Sequence, residues 1–478
     1  MVFKRNTRLL FIGFLLVIQS CKQEEKPVAL FKGIKPVEFD LHEIRKRGKI
    51  VALTDYSSTN YFIYRGEPMG YQFDLLKELS EYLDLELEIN VENDIENAFI
   101  LLNSGACDLI ALNLTITRDR IPYVTFTLPN SQTHQVLVQR KPRNWQNMTR
   151  DQINETLIRN QLDLAGKTVY VQRSTAYETR LRNLAEEIGD SIHTISVPQE
   201  VEKLISLVAR GEIDYTVCDQ NVAKVNQTYY PVLDVETAIS FPQNLAWAVR
   251  TNSSELLEVI NTWLESFRKS ARYAYIYKKY FLNEKSATIV QSDYYTLGSR
   301  KISPYDETLK KYSSIVNWDW RLLVSLVYQE SRFVPDVESW AGAYGLMQLM
   351  PGTAKRYGVD RNSPPEQNIE AGIRFLKWLD DVFANKVKDE NERKKFVLAS
   401  YNIGVGHILD AMKLADKYGS NPQLWEGQVE TYLMKKSEPK YYRDPLVKYG
   451  YCRGEETYNF VREIMDRYEH YRNILAEN

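Results

Sequence analysis

Residues 330–354 read ESRFVPDVESWAGAYGLMQLMPGTA: a glutamate and a serine, followed by a glycine-rich segment. The residues just before them, 320–329, are mostly apolar at helical spacing, which predicts a helix with Glu330 at its C-terminal end. Apolar surroundings disfavour the charged form of a carboxyl and raise its pKa, so such a glutamate can donate a proton near neutral pH. Taken alone, the position also fits an ordinary solvated glutamate at a helix end.

Several short motifs follow Glu330 in a fixed order. They are ES-x-F-x-P (330–335), S-x-x-GA-x-GLMQLMP-x-TA (339–354), AG (371–372) and YN-x-G (401–404). Together they resemble the soluble-lytic-transglycosylase domain. The resemblance implies that the second half of the chain is an all-α, lysozyme-like unit that acts on peptidoglycan glycan strands.

The same resemblance implies a reaction and a role for Glu330. The bond cut is the β-1,4 bond between N-acetylmuramic acid and N-acetylglucosamine. Glu330 protonates the glycosidic oxygen and then accepts the proton of the muramoyl 6-hydroxyl, which closes on its own ring to give a 1,6-anhydro end. Hydrolysing glycosidases need a second carboxylate, and the glycine-rich motif contains none; Asp336 and Glu338 follow Pro335 in a predicted loop.

Four further residues are expected in the sugar cleft from their place in the family motif. They are Ser339, Gln348, Met350 and Tyr401, with Tyr401 near Glu330. Two of them have structural alternatives, since a methionine often packs in a core and a serine can cap a helix. A lysozyme-like hydrolase on the same scaffold, or a sensor with an inactive helical unit, are the rival interpretations.

The front half of the chain alternates short β-branched runs with helical stretches. Strands are predicted at 49–53, 85–91, 108–114, 166–171 and 214–218, with helices between them. This is typical of a parallel α/β sheet, and the pattern occurs twice, which predicts two lobes. The segments GYQFDLL (70–76), GACD (105–108), TITRDR (115–120) and GEID (211–214) resemble the family-3 periplasmic solute-binding domain.

The resemblance to solute-binding domains implies a ligand site between the lobes. Arg120 takes the place of the arginine that clamps a ligand carboxylate with its planar guanidinium. Asp219 takes the place of the aspartate that pairs with an α-amino group, and Thr175 that of a hydroxyl beside the hinge. The expected ligand is an amino acid or a short peptide. A front domain that binds nothing and acts as a spacer is the alternative.

The N-terminus has the pattern of an export signal. Lys4, Arg5 and Arg8 precede an apolar run that is too short to span a bilayer, and residues 17–21 read VIQSC. This resembles a bacterial lipoprotein box, which implies a signal peptide at 1–20 and lipidation of Cys21. Since Lys22 is not an aspartate, the resemblance favours an outer-membrane anchor facing the periplasm. An ordinary secretory signal is the alternative.

Length and composition set the remaining limits. A chain of 478 residues predicts about two to four domains. We place a lipid-anchored linker at 21–43, the solute-binding domain at 44–283, a connector at 284–304 and the transglycosylase domain at 305–478. The formal net charge of -2 argues against a nucleic-acid partner. We expect no cofactor and no metal, and we expect Cys107 and Cys218 to be buried free thiols.

Overall fold

The computed structural model describes residues 34–282 and 301–475. The predicted signal peptide, Cys21 and most of the predicted linker and connector lie outside the described residues. Cys107, Cys218 and Cys452 are buried and unpaired, as expected for the first two. None of the described helices combines the length and the apolar character needed to cross a membrane. Within the same two ranges, no group of three or more His, Cys, Asp and Glu side chains is placed to hold a metal ion.

The front unit consists of two α/β lobes. In chain order its main elements are α1 (Leu41–Arg47), β1 (Lys49–Thr54), β2 (Phe62–Tyr64), β3 (Glu67–Met69), α2 (Tyr71–Leu83), β4 (Glu86–Val91), α3 (Ile95–Ser104), β5 (Leu109–Thr115), β6 (Thr125–Phe126), β7 (Ser131–Thr133), β8 (Gln135–Arg140), α4 (Arg150–Thr156), β9 (Thr168–Gln172), α5 (Ala176–Ile188), β10 (His193–Val197), α6 (Val201–Arg210), β11 (Thr216–Asp219), α7 (Gln220–Tyr229), β12 (Leu233–Asp234), β13 (Gln243–Val249), α8 (Ser254–Phe267) and α9 (Ala271–Tyr277).

Each lobe is built around one sheet. The strand order is β4-β1-β5-β13-β6 in lobe one, with β7 also paired to β13, and β10-β9-β11-β8-β12 in lobe two. The predicted parallel pairings are present: β1 is parallel to β4 and β5, and β9 to β10 and β11. Both sheets are nevertheless mixed, because β13 runs antiparallel to β5 and β8 antiparallel to β11. The chain enters lobe two at β8 and returns to lobe one at β13, which the strand-helix alternation did not reveal.

The second unit is helical, as predicted. Its helices are α10 (Asp306–Val316), α11 (Trp320–Ser331), α12 (Pro351–Arg356), α13 (Pro365–Phe383), α14 (Glu390–Ile403), α15 (Val405–Lys417), α16 (Glu430–Lys435), α17 (Pro439–Tyr442) and α18 (Gly454–Ile474). Helix α11 lies in the centre, and its residues from Arg321 to Tyr328 are all buried. Its start is fixed by Asp319, whose carboxylate accepts a hydrogen bond from the backbone N–H of Arg321.

The two units share apolar surface. Ile63 of β2 is fully buried and belongs to the apolar core of the helical unit. In return, Ile474 at the end of α18 packs against the core of lobe one. Hydrogen bonds accompany this exchange: the Asn473 amide donates to the Ile89 carbonyl over 2.5 Å, and the Tyr471 hydroxyl donates to the Gly66 carbonyl over 2.7 Å. The hairpin β2–β3 and strand β4 therefore form the docking face for α11 and α18.

Candidate active site and ligand cleft

Glu330 stands on the last turn of α11, where the buried helix reaches the surface of the helical unit. Its side chain is half-buried, and burial raises the pKa of the carboxyl to about 8. In the part of the chain that the structure describes, no charged neighbour contributes to this shift, and no hydrogen bond reaches the carboxyl. Glu330 is therefore protonated near neutral pH and open to an incoming group.

The chain turns sharply directly after Glu330. Arg332 and Phe333 adopt left-handed backbone conformations, with φ of 50° and 65°, which residues with a side chain adopt only at a cost. The Arg332 N–H closes the helix on the Tyr328 carbonyl at 2.8 Å, and the Ser331 hydroxyl donates to the Val327 carbonyl at 3.1 Å. This reversal fixes the end of α11 and leads the chain towards the glycine-rich segment.

The glycine-rich segment forms a tight loop. Tyr344 and Leu349 exchange two backbone hydrogen bonds of 3.2 and 3.1 Å across it. Gly345 has a φ of 80°, and a Cβ there would come within 2.4 Å of the Asn368 amide nitrogen. Asn368 on α13 is buried and accepts a hydrogen bond of 2.8 Å from the Met347 N–H. The sequence analysis missed Asn368; its signal is a polar residue among the apolar positions of a helix.

Tyr401 connects this loop to Glu330. Its hydroxyl donates a hydrogen bond of 2.6 Å to the Met347 carbonyl. Burial, together with the charge of nearby Glu330, raises the pKa of Tyr401 well above its usual value. The structure therefore brings Tyr401, the glycine-rich loop and Glu330 together. Asn402, next to Tyr401, accepts a hydrogen bond of 2.7 Å from the Thr457 hydroxyl, which ties α14 to α18.

The other three residues predicted in the sugar cleft lie on the same loop but differ in their contacts. The Gln348 amide donates to the Val337 and Gly345 carbonyls at 3.0 and 2.9 Å. The Ser339 hydroxyl accepts a hydrogen bond of 3.0 Å from the Ala343 N–H and so stabilises its own turn. Met350 is 48% exposed, so it is not a core residue. Gln348 and Ser339 shape the loop, whereas Met350 offers an exposed apolar surface.

The two carboxylates nearest to Glu330 in sequence are engaged elsewhere or exposed. Glu338 forms an ion pair with Arg361 on the surface. Asp336 is exposed to solvent. A second carboxylate close to Glu330 would raise its pKa further by like-charge repulsion, and neither residue does so.

A second candidate site is a cavity of about 100 Å³ between the two lobes. Hydrogen bonds join the lobes around it: Glu202 accepts from the Ser58 N–H at 2.8 Å, and the Gln172 amide donates to the Asn93 carbonyl at 3.1 Å. The Arg120 guanidinium also donates across the lobes, to the Ser174 carbonyl at 3.2 Å. The lobes are therefore closed over the cavity.

The three predicted ligand residues lie in or next to this cavity. Asp219 and Thr175 line it, and the Thr175 hydroxyl donates to the Gln172 carbonyl at 2.7 Å. Arg120 is buried beside Asp219 but does not line the cavity, since its guanidinium is bonded to the Thr115 and Ser174 carbonyls. Tyr177 also lines the cavity and was missed by the sequence analysis.

The hairpin β2–β3 reaches the helix that carries Glu330. The Tyr328 hydroxyl donates to the Glu67 carboxylate at 2.5 Å. A Cβ on Gly66 would come within 2.5 Å of the Tyr328 ring and 3.0 Å of the Phe333 ring. Tyr328 and Phe333 flank Glu330 in sequence, so the front unit contacts both sides of the helix end that carries Glu330.

Each half of the chain matches a known protein family. Residues 49–283 match the family described as bacterial extracellular solute-binding proteins, family 3, and residues 307–423 match the Transglycosylase SLT domain. A protein of Desulfosudis oleivorans named "Membrane-bound lytic murein transglycosylase F" is 32% identical, covering 92% of this chain and 94% of its own length. A protein of the same name from Aeromonas salmonicida is 31% identical, covering 90% and 83%.

Among the solved structures that align with part of the chain, one serves as an example. It is an ancestral arginine-binding protein bound to arginine, 26% identical, covering 49% of this chain and 99% of its own, with a TM-score of 0.42.

Proposed function

This chain belongs to the membrane-bound lytic murein transglycosylase F family, and from that premise we propose that it releases 1,6-anhydro-muramoyl ends from peptidoglycan. The observation that carries the proposal is Glu330, a single half-buried carboxyl whose pKa burial raises to about 8. One protonated carboxyl is what a reaction needs when the nucleophile belongs to the substrate.

In the proposed reaction Glu330 first acts as an acid. It gives its proton to the glycosidic oxygen between N-acetylmuramic acid and N-acetylglucosamine as that bond breaks. The resulting carboxylate then accepts the proton of the muramoyl 6-hydroxyl, whose oxygen bonds to the anomeric carbon of the same sugar. Glu330 thus returns to its protonated state, and the attacking hydroxyl is held in place by the substrate itself.

The surrounding residues support this order of steps. Tyr401 holds the glycine-rich loop beside Glu330 through the Met347 carbonyl. On this proposal Ser339, Gln348 and Met350 line the cleft for the glycan strand, and Met350 offers its exposed side chain to a sugar face. A hydrolase would need a second carboxylate to position water. Asp336 and Glu338, the candidates nearest in sequence, leave the pKa of Glu330 unaffected.

Product analysis tests the proposed chemistry. Purified sacculi are digested with the protein, and the released muropeptides are identified by mass spectrometry. The expected products carry 1,6-anhydro ends, which lack one water relative to reducing ends. Reducing ends in their place would establish a lysozyme-like hydrolase. Intact sacculi with the unchanged protein would support a sensor whose helical unit is inactive.

We further propose that an amino acid or short peptide bound between the lobes regulates cleavage. The support is a continuous set of contacts. Ser57 and Asn60 line the cavity and lie directly before β2, and the hairpin that follows packs on Tyr328 and Phe333 around Glu330. A ligand that favours one arrangement of the lobes can shift the position of this hairpin only if it binds the two arrangements with different affinity.

The rate of muropeptide release with and without ligand tests this regulation. A small ligand that binds the front unit is expected to change the rate at saturation. Equal rates in the presence and absence of a ligand whose binding is measured directly would end the regulatory proposal and leave the transglycosylase activity untouched.

The chain's place in the cell is part of the proposal. Its relatives are named membrane-bound, and the VIQSC sequence supports a signal peptide at 1–20, lipidation of Cys21 and an outer-membrane anchor that faces the periplasm. We place the linker at 21–43, the solute-binding domain at 44–283, the connector at 284–304 and the transglycosylase domain at 305–478. Replacement of Cys21 by alanine is expected to move the protein from the membrane fraction to the soluble fraction.

A further inference from the structure

The cavity between the lobes is lined by an excess of acidic side chains. Four carboxyl groups face it: Asp55 from lobe one and Glu200, Glu202 and Asp219 from lobe two. Among the described residues, no lysine, arginine or histidine lines it. The charge of Arg120 lowers the pKa of Asp219, but the Arg120 guanidinium is occupied by two backbone carbonyls.

The four carboxyls differ in their hydrogen bonds. Glu200 lies at the exposed rim and accepts from the Asn93 amide at 2.5 Å. Asp55 accepts from the Asn60 amide at 2.6 Å, and Glu202 from the Ser58 N–H at 2.8 Å. Asp219 is only 3% exposed, yet its Oδ1 atom has no hydrogen-bond partner in the described part of the chain. A buried acceptor without a donor is costly, and Asp219 is one of the residues that line the cavity. Tyr177, which also lines it, lowers the pKa of the same carboxyl by hydrogen bonding.

Among the described residues, the cavity lining therefore carries no positive charge, and one buried carboxylate oxygen of Asp219 has no hydrogen-bond donor. Burial raises the pKa of Asp55, and it raises the pKa of Glu202 and of Asp219 to about 7. Asp55 also raises the pKa of Glu202 by like-charge repulsion. A cation placed among these groups would relieve both the repulsion and the unmet acceptor. A metal ion is not indicated, because within residues 34–282 no three or more His, Cys, Asp and Glu side chains are placed to hold one.

We infer that the cavity takes a small ligand with two ammonium groups, of the diamino acid or diamine class. One ammonium would donate to Asp219 and the other would lie between Asp55 and Glu202, so that the ligand joins lobe one to lobe two. This inference rests on the proposed role of the front unit as a receptor for an amino acid or peptide, and it specifies the ligand's charge. An ammonium supplies three donors, which suits a set of acceptors that come from both lobes.

Calorimetry on the full-length protein with matched ligands tests the inference. L-Lysine and L-norleucine have the same carbon chain and differ by one ammonium group, whereas L-2-aminoadipate carries a carboxylate there. Cadaverine has both ammonium groups and no carboxylate. Lysine is expected to bind about tenfold or more tightly than norleucine, which corresponds to one effective ion pair. Cadaverine binding as tightly as lysine would identify the diamine class, and weaker binding the diamino acid class.

A charge-removing variant localises the effect. Glu202→Gln is expected to lower the preference for lysine over norleucine several-fold while norleucine binding stays unchanged. Glu186→Gln removes the same charge from an exposed position on α5 of the same lobe and is expected to change neither affinity.

Three results would overturn the inference. The first is norleucine or aminoadipate binding as tightly as lysine, which would leave the receptor role intact. The second is an unchanged preference in Glu202→Gln. The third is the absence of binding by every ligand in the set, which would end this inference and leave only the short-peptide form of the receptor role. None of these results would bear on product analysis of sacculi.

Discussion

The two clefts of this protein use buried carboxyls in opposite ways. In the helical unit Glu330 is alone: burial raises its pKa to about 8 without help from another charge. In the front unit Asp55, Glu202 and Asp219 share one cavity, and their pKa values are raised by burial together with mutual repulsion in the case of Glu202. An isolated neutral carboxyl can pass a proton back and forth. A group of carboxyls that includes an oxygen without a hydrogen-bond donor instead favours a positively charged ligand.

The largest effect is expected from the isolated carboxyl. Glu330→Gln keeps the size of the side chain but removes the transferable proton, so muropeptide release should fall by roughly 10²- to 10⁴-fold. Lysine binding to the front unit should not change. Release of muropeptides from sacculi and calorimetry measure the two properties on one preparation.

The matched control is Glu338→Gln, which removes a surface carboxylate close to Glu330 in sequence. It is expected to leave the rate of muropeptide release within about twofold, because substitutions of exposed side chains usually have small effects. A rate loss in Glu338→Gln as large as in Glu330→Gln would show that two carboxylates work together and that the contrast between the clefts is wrong.

The next largest effect is expected where the two units meet. Gly66→Ala would place a methyl group 2.5 Å from the Tyr328 ring at a φ of 82°. The expected cost in free energy of unfolding is about 1–3 kcal/mol from overpacking, with the left-handed conformation adding to it. The response of the cleavage rate to a bound ligand should weaken at the same time.

Gly48→Ala separates backbone strain from the clash. Gly48 has a φ of 81°, and a Cβ there would meet nothing within 4 Å. Chemical denaturation should show a smaller loss of stability than for Gly66→Ala, with the ligand response retained. Equal losses in the two variants would mean that the hairpin contact contributes little.

A smaller effect is expected for Tyr401→Phe. The variant removes the hydrogen bond to the Met347 carbonyl, whose net value is about 0.5–1.5 kcal/mol. The glycine-rich loop should loosen beside Glu330, and kcat for sacculus digestion should fall by about fivefold, the equivalent of 1 kcal/mol. An unchanged kcat would assign Tyr401 no part in positioning the loop.

The last prediction concerns the pH dependence of stability. The folded pKa of Glu330, about 8, lies above its ordinary value of 4.5, so the folded protein keeps a proton that the unfolded chain releases between these limits. Stability from this group is full below the unfolded value and is lost as pH rises towards 8. Glu330→Gln has no such loss. Its Tm advantage over the unaltered protein should therefore grow from about pH 5 to about pH 8, and a constant difference would contradict the raised pKa.

The sequence predicted regular elements well where local pattern determines them. A helix was predicted between the strands at 49–53 and 85–91, where α2 lies, and the apolar run before Glu330 is α11. The antiparallel return of Gln243–Val249 was missed because strand direction depends on where the chain crosses between lobes. Periodicity contains no information on that crossing.

For the candidate sites, too, the sequence revealed local motifs but not contacts between distant residues. The resemblance to the transglycosylase family implied Glu330, Tyr401 and the glycine-rich loop as the site, and the structure brings them together. Asn368 was missed because its partners are 21 and 24 residues away in sequence. The acidic excess between the lobes was missed for a related reason. Asp55 and Glu202 are unremarkable one at a time, although the carboxyl ends of parallel strands are where ligands bind in such sheets.

Ile63 has a consequence for how the protein can be divided. Ile63 belongs to the front unit but packs in the core of the helical unit, and Ile474 of the last helix packs against the core of the front unit. Splitting the chain between residues 283 and 300 would uncover both side chains together with the hairpin around them. Each half would then expose an apolar patch, so neither unit can be joined freely to an unrelated partner domain. A unit transferred to another protein would need a new partner surface that covers the exposed apolar side chains.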